Sequence, residues 1–223
     1  MTIHENLTDL AKNLPDSCTL IAVSKTQPVE KILEAYGCGQ RAFGENKVQE
    51  LVSKYEALPK DIFWHMIGHL QTNKVKYIAP FVSLIHSIDS LKLLEEINKQ
   101  GLKANRVIPC LLQIHIAEEE AKFGFSEQEV IEFLSSSTWN NTKNIQIKGL
   151  MGMATLSENE DQVRREFRSL KTLFEKLKSR SLPDQFKMQE LSMGMSGDFK
   201  IALEEGSTMI RVGASIFGKR NYS

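Results

Sequence analysis

The sequence predicts an α/β fold, a single-domain (β/α)8 barrel spanning residues 1–223 with one extra N-terminal helix. Three observations carry this. Short apolar runs alternate with stretches of helical spacing along almost the whole chain. Eight such strand–helix units fit into 223 residues, near the small end of this fold's range. No Gly-rich dinucleotide fingerprint follows the first strand. That sets the barrel ahead of the doubly wound open sheet, which shows the same alternation.

The elements follow in order. Ile3, Leu7, Leu10, Ala11 and Leu14 share a helical face. Thr19–Val23 is an apolar run without a polar gap, as expected of a strand buried on both faces. Pro28 is placed to open a helix through Ala35, with Gly37 as its stop. Arg41–Phe43 is the second strand and Glu45–Tyr55 the next helix. Ile62–Ile67 is the third strand, followed by a basic helix over Asn73–Ile78. Leu84–His86 is the fourth, and Ser90 caps a helix to Gln100. Ile108–Ile116 is the fifth, with Ser126 and Glu129 as a capping box beyond it. The polar stretch Ser135–Thr142 reads as a loop. Ile145–Met151 is the sixth strand, followed by an amphipathic helix over Asp161–Leu177. Met188–Ser192 and Thr208–Val212 are the last two strands, separated by a helix over Gly197–Glu205.

Composition narrows the function classes. Apolar residues make up 41% and charged residues 25%, which excludes a disordered chain. The 28 basic and 28 acidic residues cancel, so charge gives no reason to expect a nucleic-acid or membrane-surface partner. No apolar run is long enough to span a membrane, and the N-terminus lacks the apolar core of a signal peptide. Cys18, Cys38 and Cys110 are odd in number and widely spaced, as free thiols of a reducing compartment would be. A cytoplasmic address is expected.

In a barrel the chemistry sits at the C-terminal ends of the strands. That rule selects Lys25, Glu45, Asn46, Gly68, His69, Ser87, Asp89, Met153, Ser192 and Gly213. Lys25 follows an apolar run in AVSKTQP. A desolvated lysine has a lowered pKa and can form a Schiff base with a carbonyl; the bland alternative is a solvated lysine at a strand end. In LSMGMSGD and IRVGASIFG, the hydroxyls of Ser192 and Ser196 and the N–H groups of Gly213 and Ala214 could build a phosphate cradle. Turn chemistry alone also explains such residues, and Asp198 lies close by. His65 and His69 have H-x3-H spacing, but Gly68 breaks the segment and no third ligand is near. No metal site is expected; His65 is placed near the barrel interior and His69 at the mouth.

AVSKTQP, FGENKVQE, WHMIGHLQTNK, IHSIDS, GLMGMAT, LSMGMSGD and STMIRVGASIFG together resemble the successive signatures of the pyridoxal-phosphate homeostasis family, also called the proline synthase co-transcribed family. The matches run from Ala22 to Gly218 in the family's order. The resemblance implies a barrel like the N-terminal domain of alanine racemase and non-enzymatic binding of pyridoxal 5′-phosphate (PLP) in vitamin B6 balance. By position, Lys25 matches the Schiff-base lysine and Arg211 the arginine facing the pyridine nitrogen. Ser192, Gly213 and Ala214 match phosphate-contacting positions, and Asn46 the Asn of the FGEN motif. No catalytic residue is assigned. Lys47 stands where the family more often has an aromatic residue, and Ala214 where it often has threonine.

An arginine at the ring nitrogen keeps that nitrogen unprotonated and weakens the electron sink. The racemase likeness brings its second base from an added domain, for which a chain ending at Ser223 leaves no room. A PLP carrier serving PLP-dependent apoenzymes, a monomer or weak dimer, is therefore expected. The alternatives are a weak amino-acid racemase and a PLP-sensing regulator that binds a protein partner.

Overall fold

In a computed structural model, which describes residues 1–118, 123–134, 139 and 141–218, eight parallel strands close into a barrel in chain order. They are β1 (Thr19–Val23), β2 (Ala42–Glu45), β3 (Phe63–Met66), β4 (Leu84–Ile88), β5 (Ile108–Ile114), β6 (Ile145–Gly152), β7 (Phe186–Met195) and β8 (Met209–Val212). The helices are α1 (Ile3–Lys12), α2 (Val29–Gly37), α3 (Val48–Ala57), α4 (Val75–Ile78), α5 (Leu91–Lys103), α6 (Glu127–Leu134), α7 (Glu160–Lys178), α8 (Phe199–Glu204) and α9 (Ala214–Phe217). Closure is made by β8 on β1, with Ile21 opposite Arg211 and Ala22 opposite Val212.

The extra helix α1 starts in a capping box. Glu5 N–H donates to Thr2 Oγ1 at 3.2 Å, and Thr2 N–H to Glu5 Oε2 at 2.7 Å. Its buried Ile3, Leu7 and Leu10 join the cluster of Ile210, Val212 and Ile216. Asn6 Nδ2 donates to the Ile216 carbonyl at 2.9 Å, so α1 seals the seam where β8 meets β1. The capping box expected at Ser126 and Glu129 is formed in both directions. Of the polar stretch 135–142, only Trp139, Asn141 and Thr142 are among the described residues.

Several boundaries differ from the sequence reading, and four of them bear on the packing and the site. Gly37 is helical; the stop is Gly39, at φ +93°, whose turn lets Gln40 N–H reach the Ala35 carbonyl at 3.1 Å. Glu45 does not open a helix: it ends β2 opposite Met66, fully buried, and α3 starts at Val48. β7 runs three residues past Ser192, to Met195. β5 ends at Ile114 instead of Ile116 because the chain turns there to bridge Phe125.

Most helices lie over the outer faces of the strands. Inside, Leu84, Leu111, Met151 and Met209 form a separate apolar cluster. Alternation puts His86 on the same face as Leu84, and Arg211 on the same face as Met209. His65 Nδ1 lies 2.9 Å from His86 Nε2, both rings deep in the protein. Burial holds the His65 pKa down to about 4, and burial with the charges of His65 and Arg211 holds His86 well below its ordinary value. His69 sits at the rim, 3.0 Å from Asp89 Oδ2, so the two H-x3-H imidazoles do not converge. Among the described residues no group of three or more His, Cys, Asp or Glu is arranged to hold a metal ion, and no helix is long and apolar enough to cross a membrane.

Two outcomes follow from this packing. At the β6–β7 irregularity, a Cβ on Gly149 would lie 1.8 Å from the Glu190 carbonyl oxygen. Gly149→Ala is expected to cost about 3 kcal/mol or more, read as a lower urea midpoint. His65 has a folded pKa of about 4, below its unfolded value, so the unfolded chain binds the extra proton. The contribution is whole above about pH 6.5 and is lost as pH falls towards 4, amounting to roughly 3 kcal/mol. Urea titrations between pH 7 and 4.5 should show a shallower fall for His65→Asn than for the parent chain.

Candidate functional site

The C-terminal ends of the strands surround a cavity of about 350 Å³. Lys25, Asn46, Ser196, Arg211, Gly213 and Ala214 all line it, although they are spread over residues 25 to 214. Lys25 is half-buried and follows β1 by two residues, on the same side of the strand as Val23, which also lines the cavity. Asn46 follows β2, and its position depends on Gly68. A Cβ there would come within 2.5 Å of the Asn46 carbonyl oxygen, so the loop after β3 can pass only with glycine.

Arg211 is buried inside β8. Its Nη1 donates to Ser192 Oγ at 2.5 Å and its Nη2 to the Gly152 carbonyl at 3.0 Å. Burial lowers its pKa to about 10, so the guanidinium stays charged at neutral pH. Ser192 differs from the expected placement. Because β7 continues to Met195, its hydroxyl lies within the barrel, engaged by Arg211 and 3.0 Å from His86 Nδ1, and it does not line the cavity. Its influence on the cavity runs through Arg211.

The loops after β7 and β8 meet directly. Gly213 N–H donates to Ser196 Oγ at 3.2 Å. A Cβ on Gly213 would stand 3.0 Å from the Val23 carbonyl oxygen, so the missing side chain lets the last loop close against β1. Ala214 is the first residue of α9, where a helix leaves its N–H unused. Asp198 turns its carboxylate onto Met195 N–H at 2.5 Å. Burial raises its pKa, opposed by that hydrogen bond and by Arg211. The carboxylate thus serves its own loop, and Lys25 and Arg211 set the sign of the cavity.

One contributor is not anticipated by sequence reasoning. Glu166, buried in α7, accepts from Thr155 N–H and Thr155 Oγ1, each at 2.7 Å. It fixes the loop after β6 that brings Met153, Thr155, Leu156 and Ser157 to the cavity. The signal available in the sequence is a carboxylate on the apolar stripe of α7, three residues after Val163 and beside Phe167.

The alanine racemase N-terminal domain family model matches residues 1–221. A pyridoxal phosphate homeostasis protein of Aquifex aeolicus is 42% identical over 204 residues, covering 91% of this chain and 87% of its own length. The structure of PipY from Synechococcus elongatus without PLP superposes with a TM-score of 0.91 at 36% identity, covering 97% of this chain and all of that one. The PLP-bound form of PipY gives 0.84 at 35% identity over the same shares. The chain belongs to the pyridoxal phosphate homeostasis protein family, within the wider alanine racemase N-terminal domain family.

Proposed function

We propose that this protein binds PLP at the barrel mouth, holds it as a Schiff base on Lys25, and takes part in cytoplasmic PLP balance as a single-domain, monomeric carrier without turnover. The observation that carries the reading is one cavity that gathers a lysine, a buried arginine and two small-residue loops at the strand ends. Its volume suits a small cofactor. Bound PLP supplies an electrophilic aldehyde carbon and an electron-withdrawing ring.

The chain's own residues then divide the work. Lys25 holds the aldehyde carbon. Ser196 brings a hydroxyl and Ala214 a backbone N–H to the phosphate, Gly213 holds Ser196 Oγ through its own N–H and gives the close approach of the loop, and Asn46 contributes a polar wall. Arg211 has only donors to offer, so it satisfies a ring nitrogen that keeps its lone pair. That favours holding over carbanion chemistry. Among the described cavity-lining residues, Lys25 and Asp198 are the side chains suited to moving protons, and Asp198 is committed to Met195 N–H. This supports a carrier over a racemase, which needs a base on each face of its substrate. PLP-dependent apoenzymes are the partners such a carrier would serve.

Borohydride reduction of the PLP-loaded protein should fix a phosphopyridoxyl group on the peptide containing Lys25, and Lys25→Ala should abolish it. A label on Lys74 or Lys148 would sink the assignment. Alanine enantiomers incubated with the loaded protein should not interconvert catalytically; sustained turnover would favour the racemase reading. Light scattering at low micromolar concentration should give the mass of one chain, and a stable larger species would contradict the monomer.

A further inference from the structure

Behind the strand that presents Lys25 lies a buried ionic cluster. Lys54, on α3, has its side chain 6% exposed. Its ammonium donates to the Ser24 carbonyl at 2.7 Å, to Glu45 Oε1 at 2.8 Å and to Glu50 Oε1 at 2.6 Å. Three donors meet three acceptors, so the ion is fully satisfied. Glu45 Oε1 also accepts from Ser24 Oγ at 2.6 Å, and Glu50 Oε1 from Thr26 N–H at 2.6 Å.

The two backbone contacts fall on either side of Lys25. The peptide before it is held through the Ser24 carbonyl, and the peptide after it through Thr26 N–H. Fixing both planes fixes φ and ψ of Lys25, and with them the direction of its Cα–Cβ bond. Thr26 is itself at φ +64°, a region that a β-branched residue avoids unless its surroundings impose it. Buried ion pairs are poor sources of net stability, because apolar residues of similar volume commonly serve as well. A cluster whose bonds end on the backbone around one lysine serves direction.

We infer that Lys54 and Glu50 are positioning residues for Lys25: the geometry ties the turn after β1 to α3 so that the amine is aimed into the barrel mouth before any ligand arrives. This rests on the reading of Lys25 as the PLP-holding residue. In the step they serve, the neutral Lys25 amine replaces the aldehyde oxygen. A C=N bond forms, the C=O bond breaks, and the oxygen leaves as water with both amine protons.

Glu50→Ala tests this, since Glu50 is 24% exposed and its loss leaves Lys54 paired with Glu45. Three quantities are measured. In the apoprotein, hydrogen exchange at the Thr26 amide should accelerate. The rate of covalent PLP capture should fall on the order of 10- to 100-fold, the scale expected of a misaimed reactive group. The Kd for pyridoxamine 5′-phosphate, whose amine cannot condense with Lys25, should stay unchanged. Glu50→Gln keeps an acceptor for Thr26 and should restore the capture rate. Capture at the parental rate in Glu50→Ala, or equal losses of capture and of pyridoxamine 5′-phosphate affinity, would overturn the inference. Lys25→Ala separates the two claims: PLP still captured covalently in that variant refutes the Lys25 reading itself.

Discussion

Closure of the parallel sheet is the constraint on which everything else depends. Once β8 pairs with β1 in parallel, every strand must end on the same rim. Residues as distant as Lys25 and Ala214 then share one cavity. None of them needs a local motif to find its partners. The price is a barrel interior that must be filled, and the chain fills it in two ways: an apolar cluster of Leu84, Leu111, Met151 and Met209, and a polar row of His65, His86, Ser192 and Arg211.

The polar row and the cluster around Lys54 play complementary parts. One lies inside the barrel and holds the buried guanidinium. The other lies between the sheet and α3 and holds the turn that carries Lys25. In both, a long cationic side chain ends on backbone carbonyls as well as on side chains: Arg211 on Gly152, Lys54 on Ser24. Glu166 does the equivalent for the loop after β6. Helical side chains beneath the rim thus order the rim loops on which the cavity is built.

How much was legible in the sequence follows from the range of each interaction. The strands were legible because short apolar runs between helical stretches are local patterns. Lys25, Asn46, Gly213 and Ala214 were legible because they stand just after such runs, and Arg211 through the family motif. The end of β7 was not. Ser192 and Gly194 in SMGMS look like a turn, yet Gly194 at φ +94° lies within the strand, packed against Ala202 and Phe199. Glu45 looked like an acid at a helix start, because only the fold shows that Lys54 and Ser24 bond to its Oε1. Lys54 and Glu166 carry no local signal of the backbone groups they hold. The Glu50–Lys54 pair lies at helical spacing; the Ser24 carbonyl that Lys54 holds and the Thr155 N–H that Glu166 holds lie 30 and 11 residues away, beyond any helical spacing.

The polar row also settles where its hydrogens are. A guanidinium has no lone pair to offer, so at Arg211 the hydrogen bond can run only outward, to Ser192 Oγ. The serine's own proton then finds its acceptor in His86 Nδ1, which leaves the His86 proton on Nε2, directed at His65 Nδ1. His65 in turn carries its proton on Nε2. In the reverse order the serine hydroxyl would accept from both sides, and none of its hydrogen bonds in the structure would receive its own proton. One side chain that is charged at neutral pH therefore selects a single tautomer for two buried rings that it does not touch.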